Sequence, residues 1–141
     1  MNPVGMEFSP FTYRVDAVKA GEFARAIGDE LRRVDGVPEV PVGMIFFVVA
    51  GDSGEIFQAL RIDWQNALFG GVALDLKRPL VAGDTLKGRT RCTAYREKGD
   101  GAGRLGIVEL ETRYRDHRES EILVEVSTII VRGGLADAES G

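Results

Sequence analysis

Residues 42–50, VGMIFFVVA, limit the possible folds more than any other stretch, because they are apolar on every side. Such a segment must be buried in the folded protein, either as a strand or as a helix. The residues that follow, SGEIFQALRI, keep helical spacing at Ile56, Phe57, Leu60 and Arg61. We therefore predict one long buried helix over residues 42–62, with a weak point at residues 51–54. A helix–loop–helix over the same residues is the alternative.

The chain before this run predicts a short strand and then a helix. Residues 11–15, FTYRV, alternate between apolar and polar side chains, as a half-buried strand does. Asp16 supplies the side-chain acceptor of a helix N-cap, and the apolar stripe after it predicts an amphipathic helix over residues 17–32. Residues 36–41, GVPEVP, are predicted to be extended or turning, because proline disfavours helix in the residue before it.

The helical period gives way to a period of two within residues 68–86, LFGGVALDLKRPLVAGDTL. Alternation predicts a strand over residues 72–77. Pro79 then ends the pairing, because it has no N–H to donate to a neighbouring strand. Residues 82–84 make a turn, in which Asp84 holds the hairpin, and Thr85 begins the next strand.

Three alternating strands are predicted in the last third, over residues 85–98, 105–115 and 122–132. Turns at residues 99–103 and 116–119 join them. The predicted inward residues are Leu86, Gly88, Thr90, Cys92 and Ala94, then Val108, Leu110, Thr112 and Tyr114, then Ile122, Val124, Val126, Thr128 and Ile130. The predicted outward residues include Lys87, Arg89, Arg91 and Tyr95, with the basic row facing Glu109 and Glu111 across the sheet.

These patterns predict an α+β fold in which an antiparallel sheet wraps around a long apolar central helix, the arrangement called a hot-dog. At 141 residues and 44% apolar content, the chain is long enough for one domain with a substantial core. We predict a single domain over residues 1–132 and a flexible C-terminal tail over residues 133–141.

Composition and charge exclude several classes of partner and cofactor. The net charge of −4 argues against nucleic acid as a partner. No apolar run reaches the roughly 20 residues that span a bilayer, and the N-terminus has no basic-then-apolar signal pattern, so we expect a cytoplasmic protein without membrane contact. One cysteine and one histidine make no metal-binding cluster, so we expect neither a metal nor a cofactor.

The order FTYRV, EFARAIGDE, an apolar central helix and WQNALFGGVALDLKRPLVAGDTL resembles the MaoC-like hydratases and dehydratases. The resemblance is closest to their N-terminal, FAS1-like dehydratase type, which includes accessory subunits of mycobacterial 3-hydroxyacyl-thioester dehydratases. It covers about residues 11–132, and its most specific part is ALFGG…KRPLVAGDTL, where the family tends to read ALHGE…HRPL.AGDTL. The resemblance implies a hot-dog fold, thioester substrates carried by coenzyme A or acyl carrier protein, and assembly from two hot-dogs.

The catalytic motif of that family is incomplete in this chain. It consists of an Asp followed at fixed spacing by Asn-Pro and a His, which together activate a water molecule. Asp29 matches the first position, but Leu31 and Arg32 replace Asn-Pro and Val34 replaces the His. The LHGE segment also loses its His and Glu, to Phe69 and Gly71. We expect at most a partial catalytic role for Asp29.

Binding residues are implied more fully than catalytic ones. In the family the N-terminus of the central helix directs backbone amides at the thioester carbonyl, a role that suits a helix start. The corresponding residues of this chain are Val42, Gly43 and Met44. Trp64 and Phe69 are predicted to border the acyl-binding space.

Three functions are therefore compatible with the sequence. The first is an accessory subunit of an (R)-specific enoyl-thioester hydratase or 3-hydroxyacyl-thioester dehydratase. The second is a stand-alone hot-dog thioesterase that uses Asp52 or Glu55, and the third is a non-enzymatic acyl-thioester binder. All three predict association, as a homodimer or as a heterodimer with a catalytic hot-dog paralogue.

Overall fold

The computed structural model describes residues 1–28, 30, 32–41, 44 and 53–136. Its helices and strands are β1 (Phe11–Arg14), α1 (Ala17–Ala26), β2 (Arg33–Val34), β3 (Val37–Pro38), α2 (Ser53–Ala59), β4 (Ala67–Leu76), β5 (Thr85–Lys98), β6 (Leu105–Arg115) and β7 (Glu121–Arg132). Five strands form one antiparallel sheet in the order β1-β5-β6-β7-β4, and β2 pairs with β3 in a small hairpin. Sheet and helices together give the predicted α+β class.

The first helix begins where the sequence predicts and ends earlier. The Asp16 carboxylate accepts hydrogen bonds from the backbone N–H groups of Val18, at 2.7 Å, and Lys19, at 3.3 Å. Helix α1 ends at Ala26, not at residue 32, because Gly28 adopts a left-handed backbone with φ of +73°. Glycine takes that conformation without a steric cost and commonly ends a helix.

The described part of the central helix is shorter than predicted. Helix α2 covers Ser53–Ala59, whereas residues 42, 43 and 45–52 of the predicted long helix lie outside the described residues. Ile56, Phe57 and Leu60 are buried, as their helical spacing predicts. They pack against inner-face residues of the sheet, including Cys92, Val108, Leu110, Ile129 and Val131.

Strand β4 starts five residues before the predicted one. The two glycines at positions 70 and 71 suggest a break, but the strand continues through them with a bulge between Phe69 and Gly71. At Gly70 a Cβ atom would lie 3.2 Å from Thr128, so the bulge brings the two strands close together. Val72, Leu74 and Leu76 share one face, as predicted, because each is paired with an inner residue of β7.

A second bulge reverses the predicted faces of β7. Arg115 is paired with Glu121 and Tyr114 with Leu123, so Ile122 is an extra residue in the ladder. Beyond it the buried residues are Leu123, Glu125, Ser127, Ile129 and Val131. The predicted inward positions of Val124, Val126, Thr128 and Ile130 were wrong, because these side chains lie on the outer face, half-buried. Period-two patterning fails at a bulge, which shifts each later side chain to the opposite face.

A third bulge corrects the prediction for Tyr95. Cys92 is paired with Leu110 and Ala94 with Glu109, which leaves Thr93 as the extra residue. Tyr95 therefore faces inward and packs against the core, whereas the sequence predicts it outside. Its hydroxyl donates to Glu97 at 2.7 Å and accepts from the backbone N–H of Leu135 at 2.9 Å.

The most specific sequence segment, KRPLVAGDTL, links the β4–β5 turn to the β6–β7 turn through Arg78. The Arg78 guanidinium donates to both Asp84 carboxylate oxygens, at 2.8 and 3.2 Å, and lies 3.6 Å from Asp116. Asp84 also accepts from the backbone N–H of Val81 at 2.9 Å, which fixes the β4–β5 turn. The hydrogen bond to Asp84 raises the pKa of Arg78, against the opposing effect of burial. Asp84 therefore holds the turn, as predicted.

Candidate functional site

The inner face of the sheet carries a polar row where an apolar core would be expected. Thr90 on β5 is paired with Thr112 on β6, and Thr112 is paired with Glu125 on β7. All three side chains are buried. The two threonine hydroxyls lie 2.7 Å apart and share a hydrogen bond. Buried polar groups of this kind require partners, so the row fixes side-chain positions at the centre of the sheet.

Glu125 is the most perturbed group in the described part of the chain. Only 1% of the residue is exposed, and the Tyr114 hydroxyl donates to one carboxyl oxygen over 3.4 Å, a long and weak contact. Burial raises the pKa of Glu125 to about 7, and the bond from Tyr114 acts in the opposite direction. At neutral pH the carboxyl group is therefore divided between its protonated and ionised forms.

Glu125 was missed by the sequence analysis because the predicted phase of β7 turned it towards solvent. The available signal is an acidic residue in the middle of an apolar strand, LVEVSTIIV, with apolar residues on both faces. In such a strand the apolar pattern does not decide which side is buried. The register with β6 decides it, since Thr112 opposite Glu125 is an inner residue.

Strand β4 is the sheet edge beside this row, and it carries exposed apolar side chains. Within the described residues β4 pairs with β7 on one side only. Leu68, Phe69 and Val72 are 55%, 49% and 40% exposed. Phe69 and Val72 are paired with Ile129 and Ser127, which are inner residues. Among the described residues, the inner face thus extends to the edge of the sheet as exposed, largely apolar surface.

Trp64 stands immediately before this edge. It belongs to a short turn of 3-10 helix, Trp64–Asn66, whose N-cap Asp63 accepts from the backbone N–H of Gln65 at 3.0 Å. The indole ring stacks on Phe57 of α2, with ring centroids 4.1 Å apart, and 62% of the residue is exposed. One face of Trp64 is therefore held by the core while the other is open.

Of the remaining predicted site residues, only Met44 lies within the described part of the chain. Asp29, Val42 and Gly43 lie outside the described residues, as does Asp52. Met44 is buried with Val40, Leu80 and Tyr114, and its backbone N–H donates to the carbonyl of Pro41 at 3.0 Å. Its side chain belongs to the core.

Glu55, the other carboxylate considered for thioester hydrolysis, is exposed near the N-terminus of α2. It accepts hydrogen bonds from the hydroxyl of Ser9 at 2.8 Å and from its backbone N–H at 3.3 Å. The carboxylate thus ties α2 to the N-terminal segment.

His117 and Cys92 occupy positions without an evident catalytic use. His117 is exposed in the β6–β7 turn, where Asp116 accepts from the backbone N–H groups of Arg118 and Ser120. Cys92 is 1% exposed, and burial raises the pKa of its thiol, which makes it a poor nucleophile. Across the described ranges, no group of three or more His, Cys, Asp or Glu residues could hold a metal ion. No helix in these ranges is long and apolar enough to cross a membrane.

Residues 2–125 match the family described as the FAS1-like, dehydratase domain region. A curated relative, the UPF0336 protein of Clavibacter michiganensis, is 31% identical over 134 residues. The aligned region covers 86% of this chain and 87% of that protein. Both comparisons extend over nearly the whole chain.

Three solved structures are similar in fold. The HadBC (3R-hydroxyacyl-ACP dehydratase) complex from Mycobacterium tuberculosis gives a TM-score of 0.78 at 15% identity, covering 92% of this chain and 98% of that one. The ChsH1–ChsH2 complex from the same organism gives 0.64 at 13% identity, covering 94% and 87%. The (R)-hydratase from A. caviae involved in PHA biosynthesis gives 0.62 at 21% identity, covering 89% and 94%. The predicted hot-dog fold is confirmed, and the described part of its central helix is shorter than predicted.

Proposed function

Because this chain belongs to the FAS1-like dehydratase domain family and has a hot-dog fold, we propose that it is an accessory subunit of an (R)-specific enoyl-thioester hydratase or 3-hydroxyacyl-thioester dehydratase. In this role it shapes the space for the acyl chain. A second hot-dog subunit supplies the Asp and His that activate water. The substrate is a thioester of coenzyme A or of acyl carrier protein.

The position of His117 carries this proposal. Hydration of an enoyl thioester needs one group that takes a proton from water and one that delivers a proton to the carbon beside the carbonyl. The only histidine of the chain is in an exposed turn, and Val34 and Phe69 stand where the family has histidine. Asp29 is the one retained motif residue, and the proposed partner supplies the complete Asp and His pair.

Substrate contacts are assigned to the uncovered part of the inner face. Phe69, Val72 and the open face of Trp64 supply apolar surface at the β4 edge, where a bound acyl chain is shielded from water. Val42, Gly43 and Met44 are proposed to lie near the thioester, at the start of the predicted central helix.

The stand-alone thioesterase has less support. Glu55, the described carboxylate available to it, is engaged by two hydrogen bonds from Ser9. Two of the similar structures are complexes named for two subunits, which favours the heteromeric arrangement.

Activity of the purified chain tests the proposal directly. We expect hydration of crotonyl-CoA at least about 10³-fold below the ordinary enzymatic range, because general acid–base catalysis contributes about 10²–10⁴-fold. Adding a paralogue that carries the intact Asp and His is expected to raise the rate above that of either subunit alone. An ordinary rate from the pure chain would contradict the accessory role.

Association through the β4 edge is a separate prediction. A strand edge with unpaired backbone groups and exposed apolar side chains is suited to pairing with a second hot-dog. We expect the double substitution Leu68→Asp with Val72→Asp to weaken self-association or partner binding at least tenfold, measured by light scattering across a dilution series. Val18→Asp is the control, because Val18 is 67% exposed on α1, away from the edge. Equal weakening by both variants would reject the β4 edge as the interface.

A further inference from the structure

The outer face of strands β5 and β6 is basic, although the chain as a whole is acidic. Its positively charged residues are Lys87, Arg89, Arg91, Arg113 and Arg115. They line a groove of about 540 Å³, which we call the outer groove, with Glu7 and Pro10 of the N-terminal segment at its side. The volume falls within the range of about 300–1,000 Å³ that is typical of small-molecule sites.

The register of the outer groove places like charges directly opposite each other. Lys87 is paired with Arg115, and Arg89 with Arg113. The sequence predicts that the basic row faces Glu109 and Glu111, but only Arg91 is opposite a glutamate, because the register of β5 with β6 places Lys87 and Arg89 opposite Arg115 and Arg113. Like charges in directly opposed positions destabilise a sheet. The repulsion within each opposed pair must therefore be offset by neighbouring carboxylates or by a bound anion.

Three of the five cations are neutralised by neighbouring carboxylates. Arg113 lies 2.8 Å from Glu111 and 2.6 Å from Glu121, Arg91 lies 3.4 Å from Glu111, and Lys87 lies 2.9 Å from Glu119. Arg89 and Arg115 form no ion pair with any residue that the structure describes. They are diagonal neighbours on the ladder, at a typical separation of about 7–8 Å.

We propose that the outer groove binds a small molecule that carries a diphosphate group, with Arg89 and Arg115 holding its phosphates from two sides. Each guanidinium presents a planar fork of donors that matches a phosphate group. The groove is lined by five basic residues and by three glutamates, Glu7, Glu111 and Glu119, of which Glu119 also interacts with Arg115. The excess of two positive charges balances a terminal phosphate, which carries about −1.5 to −2 at neutral pH. This binding site is independent of the acyl-thioester function, which concerns the opposite face of the sheet.

Titration calorimetry of the full chain with ADP at low ionic strength tests the proposal. We expect measurable binding that weakens at least tenfold in the double variant Arg89→Gln with Arg115→Gln. Arg96→Gln is the matched control, because Arg96 is an exposed arginine on the same strand outside the groove. It is expected to leave the affinity within twofold. Inorganic pyrophosphate is expected to compete with ADP, whereas adenosine is not.

Melting temperatures distinguish a loss of binding from a loss of folding in these variants. Removing Arg89 relieves its repulsion with Arg113, so Arg89→Gln is expected to fold and to melt at the same temperature as the parent or higher. Arg89→Lys keeps the charge but loses the fork and is expected to bind ADP more weakly than the parent. Absence of ADP binding at millimolar concentration, equal binding by the double variant, or binding of adenosine as tight as that of ADP would each overturn the proposal.

Discussion

Replacing Glu125 with glutamine is expected to stabilise the protein above pH 7 and to change its stability little near pH 4.5. In the folded chain burial raises the pKa of Glu125 from 4.5 to about 7. Below pH 4.5 the carboxyl group is protonated in both folded and unfolded states, so it adds no pH dependence. Between pH 4.5 and 7 the unfolded state ionises more readily, and folding loses stability as the pH rises. The loss levels off above pH 7 at about 3 kcal/mol.

Glutamine keeps the shape and a carbonyl acceptor for the Tyr114 hydroxyl but cannot ionise. The difference in free energy of unfolding between Glu125→Gln and the parent should therefore grow by about 3 kcal/mol from pH 4.5 to pH 8. Urea unfolding at a series of pH values measures this difference. Glu22→Gln, at an exposed glutamate on α1, is the control for the loss of a surface carboxylate. A flat difference for Glu125→Gln would mean that Glu125 is ionised in the fold at little cost.

Removing the Asp84 carboxylate should be the most damaging change in the KRPLVAGDTL segment. Asp84→Ala leaves the partly buried Arg78 with Asp116, at 3.6 Å, as its one carboxylate within the described residues, and also removes the acceptor of the Val81 N–H. Charge-assisted hydrogen bonds of this kind contribute about 1.5–3 kcal/mol each. We expect the free energy of unfolding to fall by about 2–3 kcal/mol.

Asp75→Ala provides the comparison for that measurement. Asp75 also pairs with a basic residue, Lys77, but both side chains are about half exposed or more, at 64% and 46%. An exposed ion pair contributes little, so we expect a loss of about 0.5 kcal/mol or less by the same urea titration. Comparable losses at Asp84 and Asp75 would show that the Arg78–Asp84 pair stabilises the protein no more than an exposed ion pair does.

The sequence predicts the strands well where local chemistry decides them. Thr85 begins β5 and Lys98 ends it as predicted, because Gly83 and the glycines at positions 99 and 101 supply turns with left-handed backbone. Asp16 caps α1 for an equally local reason, the reach of its carboxylate to the nearest backbone N–H groups. These features depend on residues within a few positions of one another.

What the sequence does not predict depends on pairing between distant segments. The bulges at Thr93 and Ile122 are visible only in the registers of β5 with β6 and of β6 with β7. They determine that Tyr95 and Glu125 face inward, and so they determine the polar row of the candidate site. The exposed apolar edge at Leu68 could be predicted as a strand only if the glycines after Phe69 were known to form a bulge.

Strand β7 is apolar on both sides, so the bulge at Ile122 decides which side faces the core. Val124, Val126 and Ile130 on one side are as apolar as Leu123, Ile129 and Val131 on the other, and beyond the bulge only the second side carries a carboxylate, that of Glu125. Without the extra residue the strand would turn over, with valine and isoleucine against the helix and Glu125 in water. The extra residue at Ile122 therefore sets which side chains of β7 face the core, as an inserted nucleotide sets the reading frame of a message.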